Sequence, residues 1–161
     1  MRHLWAEPAD SRRALGDAAL ARLQAQVHAS ESQHRGEIRL CIEAGLPLAA
    51  LWQGASPRQR AQALFAELGV WNTEANSGVL VYLLLADRAI EVVADRGLNA
   101  HVSAAQWQAI VDQLQVDLQA GRFEAGLSAA LAAVDALLRT HFPPRPGDAD
   151  RNELPDTPVL R

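Results

Sequence analysis

Lysine is absent from the sequence, and its 15 basic side chains are all arginine. That absence removes Schiff-base chemistry, Ser-Lys catalysis and the phosphate-gripping lysine of a P-loop. Cysteine is nearly absent as well: Cys41 stands alone, so no disulfide framework can form within the chain. Positive charge is in short supply, with a formal net charge of −4 and a pI of about 5.7. General nucleic-acid or anionic-membrane binding selects for clustered cations, and neither fits this balance. Long apolar runs are missing too. The longest, Val79 to Ala86, has eight residues, far short of the roughly 20 that span a bilayer, so direct membrane insertion is not expected. The segment Met1 to Pro8 meets Glu7 and Pro8 before any apolar stretch, which does not read as a signal peptide. A cytoplasmic location is the expectation, with peripheral attachment to the inner membrane through a partner as its extension.

What remains suits one globular domain: 161 residues, 49% hydrophobic and 21% charged. Leu15, Ala19, Leu23 and Val27 recur at every fourth position, predicting a helix from about Ser11 to Gln33 capped by Asp10 or Ser11. Glu37 to Glu43 alternates strictly, predicting a strand with Ile38, Leu40 and Ile42 on one face. Between Gly45 and Gly54, Leu46, Leu48, Leu51 and Trp52 set no definite shape; packing over the sheet is their expected fate, and partner contact the alternative. Ser56-Pro57 opens a second helix carrying Ala61, Leu64, Phe65 and Leu68. The run Gly78 to Leu85 predicts a central strand covered on both faces, and Ile90 to Ala94 pairs with it as a hairpin. Ser103 and Gln106 form a capping box, with Val102 and Trp107 as its staple, ahead of a helix that stops before Gly121. Phe123 to about Thr140 makes the last helix. Prolines and mixed charge from Pro143 onward predict a mobile tail, giving a domain over residues 1–142 and a tail over 143–161. The order is α-β-α-β-β-α-α, a small mixed sheet with helices packed over it.

Topology then sorts the polar residues. If the first two strands are parallel neighbours, joined by a right-handed crossover, their N-terminal ends lie on one side. The hairpin returns the end of the third strand to that side. His34, Glu37, the loop Trp71 to Asn76 and the turn Asp95 to Asn99 therefore converge, while Asp87, Arg88 and Glu43 fall at the opposite end. Glu37, Asn72, Glu74, Asn76 and Asp95 supply hard oxygen donors of the kind Ca²⁺ or Mg²⁺ takes. Turn capping by the same Asn and Asp side chains is the alternative. The histidines show no paired metal spacing, and His34 near Glu37 reads either as a site residue or as a solvated helix end. Cys41, inside a strand, reads as a small buried hydrophobe. Trp5, Trp52, Trp71 and Trp107 read as core or staple residues, with Trp71 also able to wall a pocket. Motif reading alone commits to no reaction.

The stretch Leu64 to Tyr82, with Leu68-Gly69-Val70-Trp71 and Asn76-Ser77-Gly78-Val79-Leu80, resembles the TPM domain family, thylakoid-lumen proteins linked to photosystem II repair and many bacterial proteins. The hairpin bearing Asp87-Arg88, the turn Ala94-Asp95-Arg96-Gly97-Leu98 and the closing Gly121-Arg122-Phe123-Glu124-Ala125-Gly126 extend the likeness over roughly Leu15 to Phe142. Gly36-Glu37-Ile38-Arg39 and Asn152-Glu153-Leu154-Pro155-Asp156 are similar to a short bacterial subgroup without signal peptide or membrane anchor. The resemblance implies a three-layer α/β/α sandwich and divalent-cation binding (Ca²⁺ or Mg²⁺) at acidic loops. Glu37, Asn76, Asp87 and Asp95 are the candidate ligands, and His34, Trp71, Asn72, Glu74 and Arg96 are candidates to line a pocket. Subgroup members are similar to proteins encoded near a LemA-type membrane protein and a longer, anchored TPM protein, which are the implied partners. Two departures bear on the cation site: the family turn's first glycine is Ala94 here, and its Asn-Asn pair is Asn76-Ser77. Two functions follow. One is a non-catalytic or regulatory module of a membrane-associated complex, supported by the acidic, apolar segment Asn152 to Leu160 as a docking peptide. The alternative is a metal-dependent phosphatase, the activity reported for plant relatives, which would have to neutralise phosphate with Arg35, Arg88 or Arg96.

Overall fold

The computed structural model describes residues 8–147 and 153–161, with side chains from residue 12 onward. Helix α1 (Pro8–Leu15) and helix α2 (Asp17–Glu31) replace the one long helix expected, because Gly16 adopts φ +83° between them. A left-handed residue cannot continue a right-handed helix, and glycine reaches that conformation at least cost. Strand β1 (Glu37–Glu43) follows, then a short helix α3 (Leu48–Trp52) inside the stretch whose shape was undetermined. Helix α4 (Pro57–Glu67) starts at Ser56, whose hydroxyl accepts from the Gln59 amide while the Gln59 side chain reaches back to the Ser56 N–H. Strands β2 (Gly78–Leu84) and β3 (Ala89–Ala94) form the expected hairpin. Helix α5 (Arg96–Asn99) is a single turn capped by Asp95. Helices α6 (Ala104–Gln119) and α7 (Phe123–His141) complete the covering layer, and α6 carries the expected Ser103–Gln106 box.

The sheet runs in the order β3-β2-β1-β4, where β4 is Val159–Leu160. β1 and β2 are parallel with Glu37 opposite Gly78, β2 and β3 are antiparallel, and β4 pairs parallel to β1 with Cys41 opposite Val159. The tail expected to be mobile is therefore, over residues 153–161, seated on the domain, with Val159–Leu160 in the sheet. Leu154 is buried, and Arg161 donates its amide to Ile42 while its carbonyl accepts from Ala44. A two-residue strand carries no readable periodicity, which is why composition misassigned it.

Two apolar layers flank the sheet. Ile38, Leu40 and Ile42 of β1 share one face with Val79, Val81 and Leu83, packed under Leu23 and Val27 of α2, Leu114 of α6 and Leu131 and Val134 of α7. The other face holds Cys41, Leu80, Tyr82 and Leu84 under Ala61 and Leu64 of α4, with Leu46 and Leu154 at its margins. This is the α/β/α arrangement expected. Among the described residues no helix is long and apolar enough to cross a membrane.

Cys41 is fully enclosed, and burial, followed by the charge of Glu43, pushes its thiol up to about 12. Native protein should therefore react with a thiol reagent only as fast as it opens, whereas a chain ending at residue 147, stripped of β4, should label faster under the same conditions. Equal labelling rates would show that β4 does not protect the strand beside it.

Candidate functional site

The polar residues converge much as topology requires. Glu37 donates its amide to Ser77, Asp95 donates to Gly78, and Gly97 donates to Asn76. The hairpin end sits at the other side, where Leu85 and Ala86 donate to Glu43 and Ala44. The crossing of the 70–77 loop over the Asp95 turn is very close, a Cβ on Gly97 lying 2.5 Å from the Asn76 carbonyl oxygen, and where the loop closes on itself at the start of β2 a Cβ on Gly78 would run into the Val70 carbonyl. Asn76 itself has φ 50°, a left-handed position that Asn tolerates better than most residues. Thr73 and Ser77 are buried beneath the loop, the Thr73 hydroxyl accepting from Ser77 N and the Ser77 hydroxyl donating to the Arg35 carbonyl.

Side chains at this end divide into separate groups. Asp95 Oδ1 accepts from the Arg96 amide and so caps α5, while its buried Oδ2 has no hydrogen-bond donor. Arg96 donates to the side-chain oxygen of Asn76 at 3.2 Å. Trp71, Asn72 and Glu74 are exposed, Trp71 donating its indole N–H to Ala66 O. His34 is enclosed rather than lining a pocket. Its Nδ1 accepts from Gly36 N at 3.1 Å, its Nε2 lies 3.4 Å from Asp135, and burial lowers its pKa. Asp87 and Arg88 stand apart from all of these, on the wall of an open groove of about 800 Å³ between the β3 edge and α6. The four candidate cation ligands thus occupy three places, with Asp87 at the opposite end as topology placed it. Trp5 lies outside the described residues.

Glu37 belongs to a group that the sequence did not assemble. Its carboxylate, 2% exposed, accepts from the Glu153 amide at 2.9 Å, and Glu153 in turn accepts from Glu74 N at 3.1 Å. Glu37 also lies within hydrogen-bonding reach of Glu31, which reaches Asp156 in the same way. His28 Nδ1 sits 2.8 Å from Asp156 Oδ2. Among the described residues, His28, Glu31 and Asp156 form the one set of three such side chains offering donor atoms all within 4.8 Å of one another. The spacing of His28 and Glu31, i and i+3 on α2, places both on one helix face and was legible. Asp156 was not, because it arrives on the C-terminal segment. Burial, then the neighbouring carboxylates, raises Glu31 to about 9, and burial raises Glu37 to about 7.

A second buried group lies at the other end of β1. Arg60 donates to both oxygens of Glu43, at 2.7 and 3.0 Å, and Tyr82 donates its hydroxyl to Glu43 at 2.7 Å. The tyrosine is held protonated, its pKa raised by burial and by this bond. The arrangement is a bidentate ion pair, well satisfied and closed to solvent, and its role is structural.

The sequence model of the TPM domain matches residues 9–137. The fold is similar to that of the BA42 protein from the psychrophilic bacterium Bizionia argentinensis, at 26% identity and a TM-score of 0.76, covering 90% of this chain and 94% of that one. It is also similar in fold to the N-terminal domain of a protein from P. gingivalis, at 20% identity and a TM-score of 0.65, covering 88% and 95% of the two chains. No curated protein matches.

Two measurements check these assignments. Removing Arg60 strands the Glu43 charge in the core, so Arg60→Ala should cost about 3–5 kcal/mol in denaturant unfolding, against about 1 kcal/mol for Tyr82→Phe. The raised carboxyls mean that the folded state keeps protons the unfolded state has released, so they favour folding at low pH and lose that advantage as pH rises. His34 acts oppositely and has stopped contributing above the ordinary histidine range. With chelator present, the melting temperature should therefore fall between about pH 7 and 9, and Glu31→Gln should flatten that slope.

Proposed function

Because the chain belongs to the TPM domain family, we propose that it acts as a non-catalytic, regulatory module of a membrane-associated complex, docking through α3. The observation that carries this reading is the exposure of Trp52 and Leu48, at 87% and 54%. They stand four residues apart on α3, hence on one face of the helix, while Leu51 packs inward toward the core with Leu46. A protruding tryptophan beside a leucine is the composition of an interface anchor, and a solvated position gives it no stability to offset its cost. The polar end of the sheet supports the same reading. Asp95 caps a helix, Asn76 engages Arg96, and His34 is enclosed, so each is committed to the scaffold. The implied partner is a LemA-type membrane protein or a longer anchored TPM protein.

A second reading, a metal-dependent phosphatase using Ca²⁺ or Mg²⁺, draws on one feature: the buried Asp95 Oδ2 without a donor, beside the exposed Arg96. A cation there would polarise water and clamp phosphate oxygens. One comparison decides between the readings. Purified partner in detergent should shift the emission of Trp52 to the blue, a change missing in Trp52→Phe, and Trp52→Glu should weaken binding by at least about tenfold. Equal binding by Trp52→Glu sinks the docking reading. Turnover of a generic phosphomonoester that requires added metal and is lost in Asp95→Ala would put the phosphatase in its place.

A further inference from the structure

We propose that His28, Glu31 and Asp156, backed by Glu37, form a binding site for one divalent cation of the zinc class, and that the bound ion fastens the C-terminal segment to the domain. The site draws on three parts of the fold: the last turns of α2, the first residue of β1 and the segment leading into β4. Its donors are one imidazole nitrogen and carboxylate oxygens, all within 4.8 Å of one another in the three outer side chains. Tetrahedral zinc with ligand bonds of about 2.0–2.2 Å needs donors roughly 3.3–3.5 Å apart. The contraction required is small, and the outermost participant, His28, is 73% exposed and already turned toward Asp156 at 2.8 Å.

What distinguishes this group from a chance cluster of acids is the state of the two inner carboxylates. Glu37 is almost wholly buried, and its Oε2 has no hydrogen-bond donor; neither has the buried Oε1 of Glu31. The two carboxyl groups are close enough to act on each other, so each has a buried oxygen that wants a positive partner and the other carboxyl as its neighbour. Arg39 stands near Asp156, but its Nη1 goes to the Pro155 and Thr157 carbonyls and its buried Nε bonds neither inner carboxylate. The Glu153 N–H goes to Oε1 of Glu37, and the Leu154 N–H also lies toward this carboxyl, yet Oε2 keeps no hydrogen-bond donor. A divalent ion would answer both inner oxygens and both members of the His28–Asp156 pair at once, where a single shared proton answers the inner oxygens alone.

The mixture of donors selects the ion. Carboxylates alone would suit Mg²⁺ or Ca²⁺, but an imidazole in the set favours Zn²⁺ and its first-row neighbours. Asp95 and Asn76 take no part, so this site and the phosphatase reading stand or fall separately, as does docking through α3.

The test uses the full chain, stripped with chelator and titrated with ZnCl₂ by calorimetry and by amide NMR. The expected result is one equivalent bound, with shifts centred on His28, Glu31, Asp156 and the β4 residues Val159 and Leu160, and a rise in melting temperature. His28 projects into solvent, so His28→Ala should leave the circular dichroism unchanged and weaken zinc by at least about tenfold; Glu31→Gln should do the same. The proposal is overturned by a zinc affinity weaker than about 1 mM, by unchanged affinity in His28→Ala, or by shifts centred on the stacked His101–His141 pair. It is overturned equally if Glu31→Gln stabilises the protein and zinc has no effect on wild type, which would mean that a shared proton is the whole answer.

Discussion

Strand β1 carries charged side chains on a face that the fold covers, and much of the molecule is arranged to answer them. Glu37, Arg39 and Glu43 alternate with Ile38, Leu40 and Ile42, so one side of the strand is apolar and the other polar. In a two-layer protein the polar side would face water. Here α4 and the C-terminal segment lie over it, and each charge must find a partner or remain at a cost of several kcal/mol. Glu43 finds Arg60 and Tyr82, Arg39 finds the carbonyls of Pro155 and Thr157, and Glu37 finds the amide of Glu153. The C-terminal segment thus supplies polar partners as well as a strand. It also reaches outward, since Glu153 accepts from Glu74 in the loop that crosses above the sheet and Arg161 donates to Glu67 at the end of α4.

That dependence explains which features could be read from the chain and which could not. The helices starting at Pro57 and Ala104 announce themselves through Ser56 and Ser103, because caps are local chemistry between residues three apart. The unbroken apolar run of β2 and its hairpin partner were equally plain, and so was the end of the sheet at which Glu37, Asn76 and Asp95 would meet. Gly16 was overlooked as a break because Leu15, Ala19, Leu23 and Val27 keep their four-residue rhythm across it, and periodicity registers side chains rather than the φ of the residue between them. The seat of Val159–Leu160 was beyond local reading altogether. Its one sequence trace is on β1, where Glu37, Arg39 and Glu43 alternate with aliphatic residues in a strand that also had to be parallel to β2. Polar alternation on a covered strand was a request for distant partners.

The same limit applies to the site. Oxygen-bearing residues clustered where topology placed them, but proximity of backbone does not settle where side chains point. Asp95 turned to cap α5, His34 turned inward, and Glu37 turned toward Glu31 and the C-terminal segment. The tryptophans show a comparable split. Trp107 joined the core as expected, whereas Trp52 and Trp71 stayed outside: the short helix between Pro47 and Gly54 can bury one face only and Leu51 occupies it, and Trp71 in the loop after α4 turns its indole N–H to Ala66.

A parallel strand contributed from so far along the sequence has a consequence for the order of assembly. The bonds that Arg39 makes to the C-terminal segment bridge a separation of 118 residues, and contacts so distant in sequence form late. On the ribosome they cannot form until the segment around Thr157 has been made and has left the exit tunnel, by which time α2, β1, β2 and the helices over them have been free to associate. Until β4 emerges, the flank of β1 is an unpaired edge with charged residues along it, and charge is what natural sheets use to keep open edges from joining one another. The side chains that later hold the final strand thus act first as guards on the nascent protein.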